Sequence, residues 1–81
     1  SKKMNATLKD GDMVRCLEAV TADVIGERRS INMQAGATGS VVSVYSSGGV
    51  VEAYEIEFSV PGEDMYALAT ISADKVEGIV M

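Results

Sequence analysis

Histidine and tryptophan are both missing from the chain, and cysteine, proline and phenylalanine occur once each. Without imidazole there is no histidine-activated nucleophile and no imidazole metal ligand. One cysteine with no histidine does not make a nitrogen–sulfur zinc site either. A lone Cys16 has no intrachain disulfide partner, so a reducing, cytoplasmic setting is the simplest expectation. Inside the apolar run MVRCLEAV that thiol reads as a small buried hydrophobe rather than a reactive group. No stretch approaches the roughly 18 apolar residues of a membrane-spanning helix. The opening SKKMNATLKD has two lysines with no apolar segment behind them, so it does not read as a secretory signal. Ser1 to Lys3 read as a leftover ahead of a natural Met4, and residues 1–7 as a flexible N-terminus. The expectation is one domain over residues 8–81, with no cofactor.

What the chain has in quantity is small and branched apolar residues. Apolar types make up 47% of its 81 residues, and with three tyrosines and one phenylalanine most of that share is Val, Ala, Ile and Met. Such side chains suit thin, pleated layers, and a domain this small buries only about 60% of its unfolded surface.

The net charge of −5 is unevenly spread. Up to Ser40 six basic residues stand against five acidic ones, whereas from Val41 onward Lys75 alone faces seven acidic residues. A chain that repels phosphate over half its length is a poor nucleic-acid binder. The acidic half reads as a solvated surface that keeps an apolar domain soluble.

Short strands punctuated by turns run along the whole sequence. Asp10-Gly11-Asp12 introduces a first strand, Met13 to Val20. Residues 21–35 lack a clear period and read as a long loop, within which VIGERRSI has the look of a small hairpin. Ser40 to Tyr45 is the second strand, and Ser46-Ser47-Gly48-Gly49 the turn after it, with glycines for positive φ. Val50 to Phe58 is the clearest strand: Tyr54, Ile56 and Phe58 fall on one face, Glu55 and Glu57 on the other. Pro61-Gly62 marks a type II turn. Met65 to Ile71 is the fourth strand, Ser72 to Lys75 a helical or 3₁₀ turn capped by Ser72, and Val76 to Met81 the closing strand. Five short strands with one long early loop predict an all-β fold, a small SH3-like barrel.

Gly36 and Gly39, three apart just before Val41-Val42, would let the chain bend out of the long loop where a Cβ is disfavoured. They are not a phosphate cradle. No Gly-Lys-Ser/Thr follows, and phosphate-binding loops precede helix N-termini rather than strands.

Few residues remain as candidates for binding. Glu55 and Glu57 share a face that could meet a metal or a basic partner, but an outward polar row that keeps the sheet face wet is the better reading. Glu52 has the parity of Tyr54, and Glu63-Asp64 are ordinary turn residues. Arg28-Arg29 is the one local basic pair, on the longest loop, and loops on rigid scaffolds carry binding more often than strands do. Five methionines beside few aromatics favour an adaptable contact surface. Arg28, Arg29 and Met33 are therefore the candidate partner-binding residues, and no catalytic or metal-binding residue is expected.

The order "GDMVRCLEAV", "AGATGSVVSVY", "YEIEF" and "YALATISADKVEGI" resembles a family of small bacterial proteins known only as a domain of unknown function. The shared pattern is a strand ending in Leu-Glu, then Gly-x-x-Gly-x-Val-Val, Tyr-Glu-Val-Glu-Phe, Leu-x-Thr-Leu and a final acidic turn. The resemblance runs from Leu8 onward, with Ile56 in place of the valine and Ile71 in place of the last leucine. Val24 to Met33 looks longer than the family's corresponding segment. The resemblance implies an SH3-like barrel without catalytic residues, in genes of accessory, toxin-neighbouring or mobile-cassette type. More distantly the chain is similar to the accessory-subunit domain of nitrile hydratases and to KOW modules. Together these readings predict a non-enzymatic protein-interaction module that binds a protein partner, including its own copies as a homo-oligomer. An accessory or regulatory enzyme subunit is the alternative, and a KOW-like nucleic-acid binder comes last; neither nucleic acid nor membrane is an expected partner.

Overall fold

The structure is a computed structural model and describes residues 7–80. The expected leftover at Ser1 to Lys3 and the last residue of the expected closing strand, Met81, lie outside that range. The architecture is all-β: β1 (Met13–Cys16), β2 (Val20–Val24), β3 (Ser30–Met33), β4 (Thr38–Ser47), β5 (Val50–Ser59), β6 (Tyr66–Ser72) and β7 (Val76–Gly78), with a 3₁₀ turn at Ala73–Lys75. The strands form one curled, barrel-like sheet in the order β3-β2-β6-β5-β4-β1-β7, with every neighbouring pair antiparallel.

The strand count is thus seven, not five, and the expected long loop is largely a hairpin. At Cys16, the last residue of β1, the N–H donates to the Ala37 carbonyl and the carbonyl accepts from Gly36 N–H. The next N–H, that of Leu17, donates to the Lys75 carbonyl on the β7 side, after which the chain turns away. It re-enters as β2, whose inward residues Val20, Ala22 and Val24 alternate with exposed Thr21 and Asp23. The return to β3 runs through a tight turn in which Glu27 N–H donates to the Val24 carbonyl and Gly26 takes φ +85°.

The other turns follow their residues. Gly48 and Gly49, at φ +59° and +82°, form the two-residue loop between β4 and β5, the sign pattern of a type I′ turn. Gly62 at φ +76° follows Pro61, and Glu63 N–H donates to the Val60 carbonyl, as a type II turn requires. Ser72, by contrast, makes no side-chain cap; it is the last residue of β6, with its backbone still extended.

The core is a single cluster in which Val14, Val41, Ile56 and Phe58 are fully covered. Burying each such side chain stabilises the fold by about 1.5–3 kcal/mol. Tyr54, Ile56 and Phe58 all point inward along β5, as their alternation predicts, while Glu55 and Glu57 stay half-buried on the other face. Cys16 is buried and free, and burial pushes its thiol up from the ordinary range.

Gly36 and Gly39 have separate jobs. Gly36 has φ +92°, in a turn where Ala37 N–H donates to the Gln34 carbonyl. Gly39 does not take positive φ: it is a buried strand residue paired with Val14. A Cβ there would stand 2.7 Å from the Glu57 carbonyl oxygen and 2.7 Å from Ile56 Cγ2. Close approach of β4 to β5, not turn geometry, is what demands glycine at that position.

Candidate functional site

The face of the sheet opposite the core is set by register. Met13 pairs with Ser40, and Ser40 with Glu57, so these three residues form a row across β1, β4 and β5. The next row brings Ser59 beside Tyr66 on β6 and Thr38 beside Arg15 on β1. Within these rows Met13, Thr38, Ser40, Glu57, Ser59 and Tyr66 line a cleft of about 420 Å³, together with Gly39 and with Met33 and Ala37, which flank the turn between β3 and β4. The missing Cβ of Gly39 lets β4 lie close against β5 beneath the cleft. Tyr66 stands at the rim 49% exposed, and its carbonyl accepts from the N–H of Ile25, itself 47% exposed. The cleft therefore offers two methionines and an aromatic ring, three hydroxyl side chains and one carboxylate.

Several of the chain's charges are spent on one another. Arg15 donates from Nε and Nη2 to Glu77 at 3.0 and 2.8 Å, and Lys9 pairs with Asp12 at 3.3 Å. Lys75 approaches Glu18 at 3.6 Å. Arg29 donates to Glu63 and to Glu27, which ties the β2–β3 turn to the turn between β5 and β6. Those bonds, Glu63 first and Glu27 second, raise its guanidinium further above its ordinary range. Glu55 accepts from the hydroxyls of Thr70 and Tyr45. Glu57 is different. Among the described residues it has neither an ion pair nor a side-chain hydrogen bond, and it is the one charged group in the cleft lining.

The candidates read from the sequence separate accordingly. Arg28 is exposed on the β2–β3 turn, away from the cleft lining. Arg29 is a clamp between two turns rather than a free contact. Met33 belongs to the core, 8% exposed, and also closes one side of the cleft. The inward parity of β3 explains this, since Met33 pairs with the half-buried Val20. Gly48 and Gly49 serve the β4–β5 turn alone. Tyr66, Met13 and Ser40 carried no motif in the sequence; the only local hint was a tyrosine at an exposed strand start.

The chemistry this arrangement can perform is limited. Among the described residues Ser40, Ser59 and Thr38 donate no side-chain hydrogen bond to a base, and Glu57, opposite Ser40, has no second carboxylate in the lining. Among the described residues no group of three or more Cys, Asp or Glu is placed to hold a metal ion. No helix among them is long and apolar enough to cross a membrane.

A family model described as "Domain of unknown function (DUF4926)" matches residues 11–78, a span that takes in every strand and the whole cleft. Comparison with curated proteins and with solved structures finds no significant match.

Proposed function

The chain belongs to the DUF4926 family, and on that premise we propose that it is a non-enzymatic, SH3-like interaction module that holds a segment of a partner protein in the cleft. The single observation that carries this reading is the lining itself: adaptable methionines, an exposed tyrosine and scattered hydroxyls, with no pair of groups fit for acid–base work. Tyrosine gives large contact area at low conformational cost, which is why it is enriched at the centres of interfaces. The SH3-like assignment is supported by the long hairpin β4–β5 and by the 3₁₀ turn that leads into a short strand closing on β1.

Nucleic acid fits the surface poorly. Among the described residues Lys9, Arg15, Arg29 and Lys75 are each engaged with carboxylates, which leaves Arg28 for phosphate.

Peptides selected on the wild-type protein from a random display library test the proposal. Tyr66→Ala, at a half-exposed position, should retain the fold by circular dichroism yet bind those peptides about tenfold more weakly. Tyr45→Ala, at the far end of β4, should bind them normally. Selection of no peptide, or of peptides indifferent to Tyr66, would overturn the proposal.

A further inference from the structure

We propose that the cleft recognises an extended segment of a partner protein carrying a lysine or arginine beside an apolar residue, with Glu57 as the group that reads the positive charge. This rests on the cleft being the interaction site. Glu57 is fixed in place by its β5 backbone, paired on one side with Ser40 and on the other with Leu68, and flanked along the strand by the buried Ile56 and Phe58. It is half-buried and holds a negative charge with no cation of its own. Arg15 stands opposite the cleft residue Thr38, yet its guanidinium is held by Glu77 at 2.8 Å.

A partly desolvated carboxylate gains most from a charge-assisted hydrogen bond to an ammonium or guanidinium group. Ser40, Ser59 and Thr38 are acceptors for the donors that one carboxylate leaves unmet. Tyr66 offers an aromatic face for the cation, and Met13 and Met33 a soft apolar wall for the neighbouring side chain. The same lining rejects acidic segments, since the cleft holds no cation to meet them. The net charge of −5 on the whole chain favours the approach of a basic partner.

The test selects random heptapeptides displayed on phage against the wild-type protein and, separately, against Glu57→Gln. Wild-type selection should enrich Lys or Arg next to an apolar residue, and Glu57→Gln selection should lose that enrichment. Replacing the basic residue of a selected peptide by norleucine should weaken wild-type binding about tenfold and leave Glu57→Gln binding unchanged. That comparison needs only the wild-type fold for its first half. Peptides that require Tyr66 but no basic residue would overturn this inference and leave the interaction module standing. Peptides that ignore Tyr66 would overturn both. Spermidine occupying the cleft while no basic peptide does would also overturn it, since the ligand would then be a free polyamine.

Discussion

Gly39 and Ile56 pack so closely that a Cβ on the glycine would lie 2.7 Å from the isoleucine Cγ2. Backbone closes the other side, because the Glu57 carbonyl oxygen is also 2.7 Å away and cannot swing clear. Gly39→Ala should therefore destabilise the fold by about 1–3 kcal/mol, the usual cost of overpacking a filled core. Gly36→Ala, where open space surrounds the added Cβ but φ is +92°, should be destabilising through backbone strain alone. Chemical denaturation of both variants checks this. A Gly39→Ala midpoint equal to that of wild type would contradict the packing account.

Arg29 holds two turns together, and its loss should be felt locally more than globally. Its side chain and those of Glu27 and Glu63 are each about 40% exposed, so the pairs are screened by solvent. Arg29→Ala should lower global stability only slightly, as the loss of solvent-screened surface pairs does. Arg29→Lys should recover only part of it, because an ammonium does not span both carboxylates as a planar guanidinium does. Hydrogen exchange gives the sharper reading: the amide of Val24, which donates to the Arg29 carbonyl, should exchange faster in Arg29→Ala. Unchanged protection there would mean that the turn needs no clamp.

Asp12 gives a dependence on pH. Its carboxylate accepts from the Lys9 backbone N–H at 2.9 Å, and that bond holds its pKa below the usual aspartate value, with the Lys9 ammonium a lesser contributor. A folded-state value below the unfolded one means stability that is present at neutral pH. It is lost as pH falls from about 3.9 through the folded value. Asp12→Ala should melt below wild type near neutrality, with the gap closing in acid. Thermal melts across that range decide it, and a gap that persists at the acid end would refute the linkage.

Parts of this structure were legible in the sequence and parts were not. The β5 alternation and the turns at Gly48-Gly49 and Pro61-Gly62 are local signals, and local signals survive into the fold. The turn of the β2–β3 hairpin was legible in VIGERRSI, but the extent of its strands was obscured because the central inward residue of β2 is Ala22, too small to stand out beside Thr21 and Asp23. Gly39 looked like a turn residue because a requirement for close approach between strands leaves no local trace. Glu55 and Glu57 have the same parity, and only the neighbouring strands distinguish the carboxylate bonded to Thr70 from the one facing the cleft. The cleft itself joins five strands and the β3–β4 turn, a conjunction no short window of sequence contains.

Self-association is expected at the tip of the β4–β5 hairpin. Val44, Tyr45 and Val50 are 36%, 46% and 65% exposed there, at the opposite end of β4 from the cleft. Exposed apolar residues grouped at one end favour a symmetric contact between copies. Sedimentation equilibrium over a micromolar range should show a mass above one chain, reduced by the double change Tyr45→Ser and Val50→Ser. A single-chain mass at every concentration would contradict this.

The central claim is the proposal that the cleft is where a segment of another protein binds. Amide chemical-shift mapping of the isotopically labelled chain with a library-selected peptide tests it directly. The account predicts shifts concentrated at Met13, Thr38 to Ser40, Glu57 to Ser59 and Tyr66, and quiet amides at Ser46 to Val51. Shifts centred on the β4–β5 tip or on Arg28, with the cleft amides unmoved, would contradict it.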